Sequence, residues 1–343
     1  MGKNHIDILH ASAIASFVMS TLTHDAESVA SAAPGSRLAS GLVFAVVSAA
    51  TFGMSGALAR GLLDTGWSPG AVVVVRVGLA ALMVTPLGLI SLRGRWRLLR
   101  RNAGLIALYG SVAVAGAQFC YFSAVAHMPV GPALLIEFTA PAAVVAYLWL
   151  RHGQRPGALT LVGAGVAALG LVLVLDLLSG AELSIVGVLW ALAAMVGAAV
   201  YFVMSADEDN GLEPVVLAWG GLVAGAFGLG LLGLLGLMPV HVARASTTYA
   251  GHDFAWWVPL VTLGLVTAAV AYVAGIAAGR RLGSRLASFV ALLEVVAGVV
   301  WAWLLLDQLP GVVQLIGGLL ILAGVVAVKL GERSVASREP SNA

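Results

Sequence analysis

Three ionisable side chains lie deep within long apolar stretches of a sequence that otherwise keeps its charges between these stretches or near their ends. They are Arg76, Glu137 and Glu294. If such a stretch crosses a membrane, one charge at its centre costs about 2.5–3.5 kcal/mol, so the charge needs a partner or a water-filled cavity. A guanidinium group and a carboxylate in one cavity would suit an amino acid, which carries both opposite charges. A static ion pair is the structural alternative.

Glu137 precedes Pro141 by four residues in the same apolar stretch. Proline lacks the N–H that would bond to the carbonyl of residue 137, so this carbonyl and the Glu137 carboxylate share one helical turn. We therefore predict that Glu137 binds a substrate amine or a coupling proton, with Pro141 as part of the site. Arg76 would hold a substrate carboxylate, or pair with Glu137 otherwise. Glu294, in the second half of the chain, is a further candidate for proton coupling.

Aromatic and amide side chains in the apolar stretches are weaker candidates for the same cavity. Small-molecule pockets are mostly apolar with a few polar groups, which these residue types supply. Core packing or anchoring at the membrane interface is the alternative for each one. The candidates are Tyr109, Gln118, Phe119, Phe138 and Tyr272.

The elements that must position these residues are apolar helices. Of the 343 residues, 60% are hydrophobic and 10% are charged, and the mean hydropathy is +1.01, whereas a soluble domain has about 25% charged residues. A membrane-spanning helix needs about 20 apolar residues, and lipid cannot satisfy the open edge of a sheet. We predict an all-α polytopic membrane protein with ten spans, at approximately 38–62, 70–91, 103–125, 131–150, 157–177, 185–204, 214–237, 256–279, 286–306 and 311–330.

The positions of lysine and arginine predict the orientation of the chain. With the N-terminus in the cytoplasm, 15 of the 18 basic residues fall in cytoplasmic segments, including the run from Arg93 to Arg101. This bias predicts that both termini are cytoplasmic, in a bacterial-type inner (plasma) membrane. We expect residues 1–36 to form a disordered or interfacial tail and residues 331–343 a polar tail.

The chain also repeats itself. A shift of 154 positions places residues 133–174 on 287–328 with thirteen of 42 positions identical. A second, shorter match pairs residues 41–45 with 187–191. The informative matches are those of rarer residue types, Trp149 with Trp303, Gln154 with Gln308, and Pro156 with Pro310. We predict two repeats of five spans, 38–177 and 185–330. Since five is odd, the second repeat enters the membrane inverted, as in many secondary transporters. A duplication that only stabilises a bundle is the alternative.

The pattern Pro156-Gly157…Gly163…Gly170 resembles the EamA domain of the drug/metabolite transporter superfamily and occurs twice. The span from Glu294 to Asp307 is similar, although the family usually has Glu-Pro where this chain has Glu294-Val295. The segment from Gly131 to Pro141 resembles the threonine/homoserine exporter branch. The resemblance implies ten spans and export of amino acids or related metabolites by alternating access, without ATP and with proton coupling left open. Efflux of drug-like or cationic compounds, or a non-transporting receptor or scaffold, are the alternatives.

Other chemistry finds little support. Gly53-Met54-Ser55-Gly56 has the form of a rhomboid-type protease motif, but such a serine needs a nearby base and no histidine lies deep in a predicted span. A single cysteine, Cys120, allows neither a disulfide nor a thiolate metal site within one chain. We expect no catalytic residue, metal or cofactor. We also expect no nucleic-acid partner, because the basic residues are spread over short loops. The expected partners are a small-molecule substrate and the lipid bilayer, with a homodimer left open.

Overall fold

The computed structural model describes residues 34–140, 143, 149–150, 157–174, 184–205, 211–275, 277–278, 281 and 293–336. Most of these residues are helical. The helices, labelled in chain order, are α1 (Pro34–Asp64), α2 (Pro69–Leu92), α3 (Ala103–His127), α4 (Val130–Glu137), α5 (Ala158–Val174), α6 (Ile185–Ser205), α7 (Pro214–Leu234), α8 (Trp257–Gly275), α9 (Leu293–Leu306) and α10 (Val312–Ala336). A short helix, Trp96–Arg101, connects α2 to α3.

Five helices of the described ranges are long and apolar enough to cross a membrane, namely α1, α2, α3, α7 and α8. Shorter apolar helical stretches of 10–17 residues lie in α5, α6, α9 and α10. The predicted helical membrane protein is therefore supported, whereas the count of ten spans stays a prediction, since most of residues 141–150 of the span predicted at 131–150 lie outside the described residues.

The predicted tails lie mostly outside the described residues, which begin at 34 and end at 336. The first and last helices extend further than expected. Helix α1 already begins at Pro34 and α10 continues to Ala336.

Local sequence explains the turn between α1 and α2. Gly66 adopts a left-handed conformation (φ 100°), which glycine tolerates without steric cost. The Ser68 side chain then accepts a hydrogen bond from the backbone N–H of Ala71 at 3.2 Å, and Pro69 occupies the first turn, where its missing N–H costs nothing. The break predicted between the spans at 38–62 and 70–91 is therefore present.

Helices α3 and α8 each contain a π-helical segment that the sequence did not predict. These segments are Tyr109–Gly116 and Leu265–Val270. The shift of 154 that relates the repeats places 111–116 on 265–270, so the two segments occupy matching positions. Because π-helical insertions are rare and frequently mark functional sites, α3 and α8 are the helices to inspect for one.

A β-hairpin between α7 and α8 departs from the all-α prediction. Strands β1 (Thr247–Tyr249) and β2 (His252–Phe254) pair antiparallel. Two hydrogen bonds anchor the hairpin and the loop before it to the helices. The Tyr249 hydroxyl donates to the Leu58 carbonyl of α1 at 2.6 Å, and the Trp67 indole N–H donates to the Ala243 carbonyl of the preceding loop at 2.8 Å. We call this end of the bundle, where α1 ends and α2 begins, the hairpin end. The opposite end, with the Arg93–Arg101 run, is the arginine end.

Glycine lets α5 and α10 approach backbone to backbone. A Cβ added to Gly163 would lie 2.7 Å from the Gly324 carbonyl oxygen, and one added to Gly170 would lie 2.7 Å from the Ile321 nitrogen, beside Gly317. As residue numbers rise along α5 they fall along α10, so the pair is antiparallel. Close packing of small residues stabilises helix pairs in membranes, where lipid is as apolar as the protein.

Several of the other helix contacts come in matching couples. Helix α1 packs against α8 and α9, and α6 packs in the same way against α3 and α4. Likewise α3 packs against α7, and α8 packs against α2, while α2 and α7 pack against each other. Exchanging each helix with the helix five places along the chain leaves this set of contacts unchanged.

Candidate functional site

A cavity of about 410 Å³ lies between α1, α3, α4, α6, α8 and α9, with one side chain contributed by α2. This volume falls within the range of about 300–1,000 Å³ typical of small-molecule sites. The lining is mostly alanine and aromatic, with few polar groups. Its polar and aromatic members are Ser48, Phe52, Ser55, Arg76, Gln118, Tyr121, Glu137, Phe138, Tyr201, Tyr272 and Glu294.

Six predicted site residues meet at this cavity, although they come from distant parts of the sequence. They are Arg76, Gln118, Glu137, Phe138, Tyr272 and Glu294. The structure thus brings together both carboxylates and the arginine that the sequence singled out.

Two of the predicted aromatic residues do not line the cavity, and one predicted residue is not described. Tyr109 is buried behind the wall with its ring 5.9 Å from that of Tyr201, measured between centroids. Phe119 packs edge-on against Trp190 at 5.6 Å. For both, core packing is the role that the structure supports. Pro141 lies outside the described residues.

Arg76 is held in the cavity wall with 3% of its surface exposed. One terminal nitrogen, Nη1, donates to the side-chain oxygen of Gln118, and Nη2 donates to the Thr267 carbonyl at 3.1 Å. The guanidinium carbon lies 5.3 Å from the centre of the Phe122 ring, in cation–π geometry. The π-helical segment of α8 supplies the Thr267 acceptor, so Arg76 links α2, α3 and α8.

The predicted ion pair between Arg76 and Glu137 is not formed. Within the described part of the chain the ion pairs are Arg60–Asp64 at 2.9 Å and Arg95–Glu213 at 2.6 Å. The physical reason is that Arg76 meets neutral acceptors on α3 and α8 instead. The Nε atom of Arg76 is buried without a hydrogen-bond partner.

The two carboxylates reach the cavity from matching helices. Glu137 is the last residue of α4, Glu294 is the second residue of α9, and both side chains are half-buried. Glycine on α1 makes room for Glu294, because a Cβ on Gly53 would lie 2.8 Å from the Glu294 carbonyl oxygen and 2.7 Å from the Gly298 nitrogen. Close helix packing therefore explains Gly53 of the protease-like motif.

Sequence reasoning missed much of the α1 wall. Ala45, Ser48, Ala49, Phe52 and Ser55 line the cavity from this helix. Their spacing of three or four residues places them on one helical face, which is the signal that could have found them. Ser48 donates to the Ala271 carbonyl at 2.9 Å, and Phe52 stacks edge-on against Tyr272 at 5.1 Å. These contacts join α1 to α8 beside the cavity.

Tyr121 and Tyr201 were also missed. Tyr121 lies on the face of α3 that carries Gln118, one turn closer to the hairpin end. Its hydroxyl group is buried without a hydrogen-bond partner and lies against Gly56 of α1. The (i, i+3) spacing from Gln118 was the available signal.

The cavity combines groups that bind charged small molecules. The carboxylates accept hydrogen bonds from an ammonium group, the aromatic rings offer their faces to cations, and the guanidinium group attracts an anion. No histidine of the described residues lines the cavity, so Ser48 and Ser55 lack a histidine base there. The chemistry fits reversible binding.

Residues 39–176 and, separately, residues 185–330 match the EamA-like transporter family. The chain belongs to this family, and with its apolar helices it is a multi-pass membrane protein; the family points to a transporter rather than an enzyme. The resemblance predicted from the sequence is confirmed.

Curated relatives point in the same direction. The chain is similar to the threonine/homoserine exporter RhtA of Salmonella typhimurium, in strains SL1344 and LT2, with 26% identity over 301 residues. The match covers 82% of this chain and 88% of each relative. A protein of known crystal structure, 21% identical, covers 88% of this chain and 99% of its own with a TM-score of 0.57, so the two share a fold.

Proposed function

We propose that this protein exports a small amino-acid-like metabolite, such as threonine or homoserine, by alternating access. The observation that carries the proposal is the meeting of Arg76, Glu137 and Glu294 at one cavity between the repeats. An amino acid presents an ammonium group to a carboxylate and a carboxylate to a guanidinium group. The similarity to the threonine/homoserine exporters supports this substrate class.

The architecture that we propose has ten spans in two inverted repeats, 38–177 and 185–330. The matching couples of helix contacts support it. The glycines of α5 and α10 support it as well. The shift of 154 relates Gly163 to Gly317 and Gly170 to Gly324. In the structure Gly163 packs on Gly324, and Gly170 packs on Gly317. Reciprocal contacts of this kind are what a two-fold axis requires. The basic residues at the arginine end favour cytoplasmic termini in an inner membrane.

Within the cavity we assign a role to each charge. Glu137 binds the ammonium group or carries a proton, and Glu294 carries a proton during the return step. Arg76 binds the substrate carboxylate, and Gln118 and Thr267 hold the Arg76 guanidinium group in orientation. Phe138 and Tyr272 shape the apolar part of the site. Proton coupling then requires that export depends on pH and that the dependence disappears when a carboxylate is removed.

Export of labelled threonine from proteoliposomes, measured between pH 6 and pH 8, tests the proposal. Glu137→Gln keeps the side-chain size and removes the charge, so we expect export to fall at least about tenfold, the equivalent of 1.4 kcal/mol, and its pH dependence to be lost. Glu213→Gln is the matched control, because Glu213 is exposed at the arginine end and pairs with Arg95. Full export with an unchanged pH profile in Glu137→Gln would overturn the assignment.

Efflux of lipophilic cations is the second candidate. It is favoured by a lining with two carboxylates and five aromatic rings, while both terminal nitrogens of Arg76 are already engaged. Aromatic rings and a carboxylate together bind cations that lack a carboxylate of their own. Cells overproducing the protein distinguish the two functions. Resistance to excess threonine that Glu137→Gln abolishes favours the first, and resistance only to tetraphenylphosphonium favours the second.

A further inference from the structure

The π-helical segments of α3 and α8 each leave one backbone carbonyl without its usual helical partner. In an α-helix the N–H of residue i bonds to the carbonyl of residue i−4. The N–H of Ala117, directly after the first segment, bonds instead to the carbonyls of Val112 and Val114. Since the chain is α-helical again from Ala117 onward, the return to i−4 bonding passes over the carbonyl of Ala113.

The same step occurs in α8 at the matching position. The Ala271 N–H bonds to the carbonyls of Val266 and Ala268, so the carbonyl of Thr267 is passed over. The shift of 154 relates Ala113 to Thr267, and the two carbonyls are therefore counterparts. A buried carbonyl that has lost its helical partner costs free energy unless another donor reaches it.

Arg76 supplies that donor in α8. Its Nη2 atom donates to the Thr267 carbonyl at 3.1 Å, so a cationic N–H group stands where the backbone N–H is missing. Backbone carbonyls released from helical bonding bind cations in other membrane transporters as well. The freed carbonyl of α8 is thus already a cation site, and its cation is built into the chain.

The freed carbonyl of α3 has no such cation within the chain. A shift of 145 relates α2 to α7 and places Arg76 on Gly221. The identical pairs under this shift include Gly66/Gly211, Pro69/Pro214, Ala81/Ala226 and Gly88/Gly233. Gly221 faces the α3 segment, because a Cβ there would lie 2.5 Å from the Tyr109 ring and 3.4 Å from the Val114 side chain. Glycine has no side-chain donor, and no side chain of the described residues donates to the Ala113 carbonyl.

We propose that the carbonyl of Ala113 accepts a hydrogen bond from the ammonium group of the substrate. Ala113 lines the cavity together with Glu137. The substrate ammonium group then takes, at α3, the place that the Arg76 guanidinium group takes at α8. The inference rests on the proposed function, because it assigns an atom that recognises the amine of an amino acid.

The two acceptors give the site different kinds of selectivity. The carboxylate of Glu137 attracts any cation, and so do the faces of the aromatic rings. The carbonyl of Ala113 favours only a cation that carries N–H donors, and a primary ammonium group has three of them. The carbonyl therefore selects primary amines over lipophilic cations such as tetraphenylphosphonium, which has no N–H group.

Deletion of one residue tests the assignment. A π-helical step holds one residue more than an α-helix, so deletion of Ser111, which is exposed and does not line the cavity, restores i−4 bonding without rotating the flanking turns. The Ala117 N–H then occupies the Ala113 carbonyl. The purified protein is titrated calorimetrically with threonine, with 3-hydroxybutanoate, which lacks the ammonium group, and with tetraphenylphosphonium.

A backbone ester provides a second test that leaves every side chain in place. Replacing Val114 with its α-hydroxy analogue turns the peptide bond after Ala113 into an ester. The carbonyl of an ester is a weaker acceptor, because the ester oxygen donates less electron density to it than an amide nitrogen does. The same replacement of Val112 is the matched control, since it alters the carbonyl of Ser111, which does not line the cavity.

We expect the preference of the parent for threonine over 3-hydroxybutanoate to fall about tenfold or more in the deletion variant, since a hydrogen bond to a charged group contributes at least that factor. The affinities for 3-hydroxybutanoate and tetraphenylphosphonium should stay within about twofold. The Val114 ester should lower the same preference in the same direction, and the Val112 ester should not. A purely structural role of the π-helical step would weaken all three ligands alike.

Each contrary result has a distinct meaning. If the parent exports threonine but the deletion variant and the Val114 ester keep its preference over 3-hydroxybutanoate, the carbonyl has no role and the exporter remains. If the parent neither binds nor exports threonine, the proposed function itself fails. If the deletion variant does not fold, as judged by gel filtration, the two esters decide alone, and equal preferences in both overturn the assignment.

Discussion

Gln118 gives the sharpest prediction about the cavity, because it holds the arginine without itself carrying charge. Its side-chain oxygen accepts from Nη1 of Arg76, while the Thr267 carbonyl accepts from Nη2 and Nε has no partner. In Gln118→Leu one more donor of a buried guanidinium group loses its acceptor. The side chain keeps nearly the same size, so the change is mainly electrostatic.

The expected magnitude follows from that lost contact. A hydrogen bond to a charged group contributes about 1.5–3 kcal/mol, and about 1.4 kcal/mol corresponds to a factor of ten, so a substrate held by Arg76 should bind about 10–150-fold more weakly. We expect the loss mainly in the substrate concentration for half-maximal transport, because the lost contact positions the group that we assign to the substrate carboxylate. Threonine flux into inverted membrane vesicles measures this concentration directly.

Gln314→Leu provides the control, since Gln314 accepts from the Gly311 backbone N–H at the exposed start of α10 and lies away from the cavity. It should lower thermal stability slightly and leave transport affinity unchanged. A Gln118→Leu protein whose affinity and maximal rate stay within about twofold of the parent, less than 0.5 kcal/mol, would refute the role given to the Arg76 contacts.

Two further predictions concern stability in detergent. Gly163→Leu must push α5 and α10 apart, because a Cβ there meets the Gly324 carbonyl oxygen at 2.7 Å. Overpacking of about 1–3 kcal/mol should lower the Tm by several degrees. Gly165→Leu should not lower the Tm, because a Cβ at Gly165 has nothing within 4 Å. Equal Tm values for these two variants would contradict the close approach. Burial raises the pKa of Tyr249 in the hairpin loop above its usual range, so the folded protein holds that proton more tightly than the unfolded chain. The stabilisation by its hydroxyl is therefore complete below pH about 10 and is lost as the pH rises further. Tyr249→Phe should be less stable than the parent at pH 8 and show a smaller further loss at pH 11, and parallel pH curves for the two proteins would argue against this account.

Hydropathy, rare residues and spacing were sufficient for the large features of the protein. Apolar stretches located the helices to within a few residues, and the break predicted between the first two spans is present, with Gly66 in the turn and Pro69 at the helix start. Charges at membrane depth were informative because each is costly, so Arg76, Glu137 and Glu294 stood out without any knowledge of the fold. The π-helical segments and the hairpin carried no comparable signal, since their residues are also compatible with ordinary helix and loop.

The choice among aromatic residues shows where such reasoning stops. Tyr109 and Tyr121 both lie on α3 and look equally suited to a cavity, yet only Tyr121 lines it. In a soluble protein the polar face of a helix would separate the two, but in a membrane the faces towards lipid and towards protein are equally apolar. Leu82, 71% exposed, and Phe122, fully buried, illustrate this.

By itself, the sequence determined that the protein is a doubled set of apolar helices with three charges inside, because lipid solvation and the cost of buried charge act on each segment separately. Only the tertiary structure decided that Arg76 binds Gln118 and Thr267 rather than Glu137, and that Tyr121 rather than Tyr109 lines the cavity. These outcomes depend on which helix faces meet, and that is set by the contacts of glycine and alanine between helices distant in the chain.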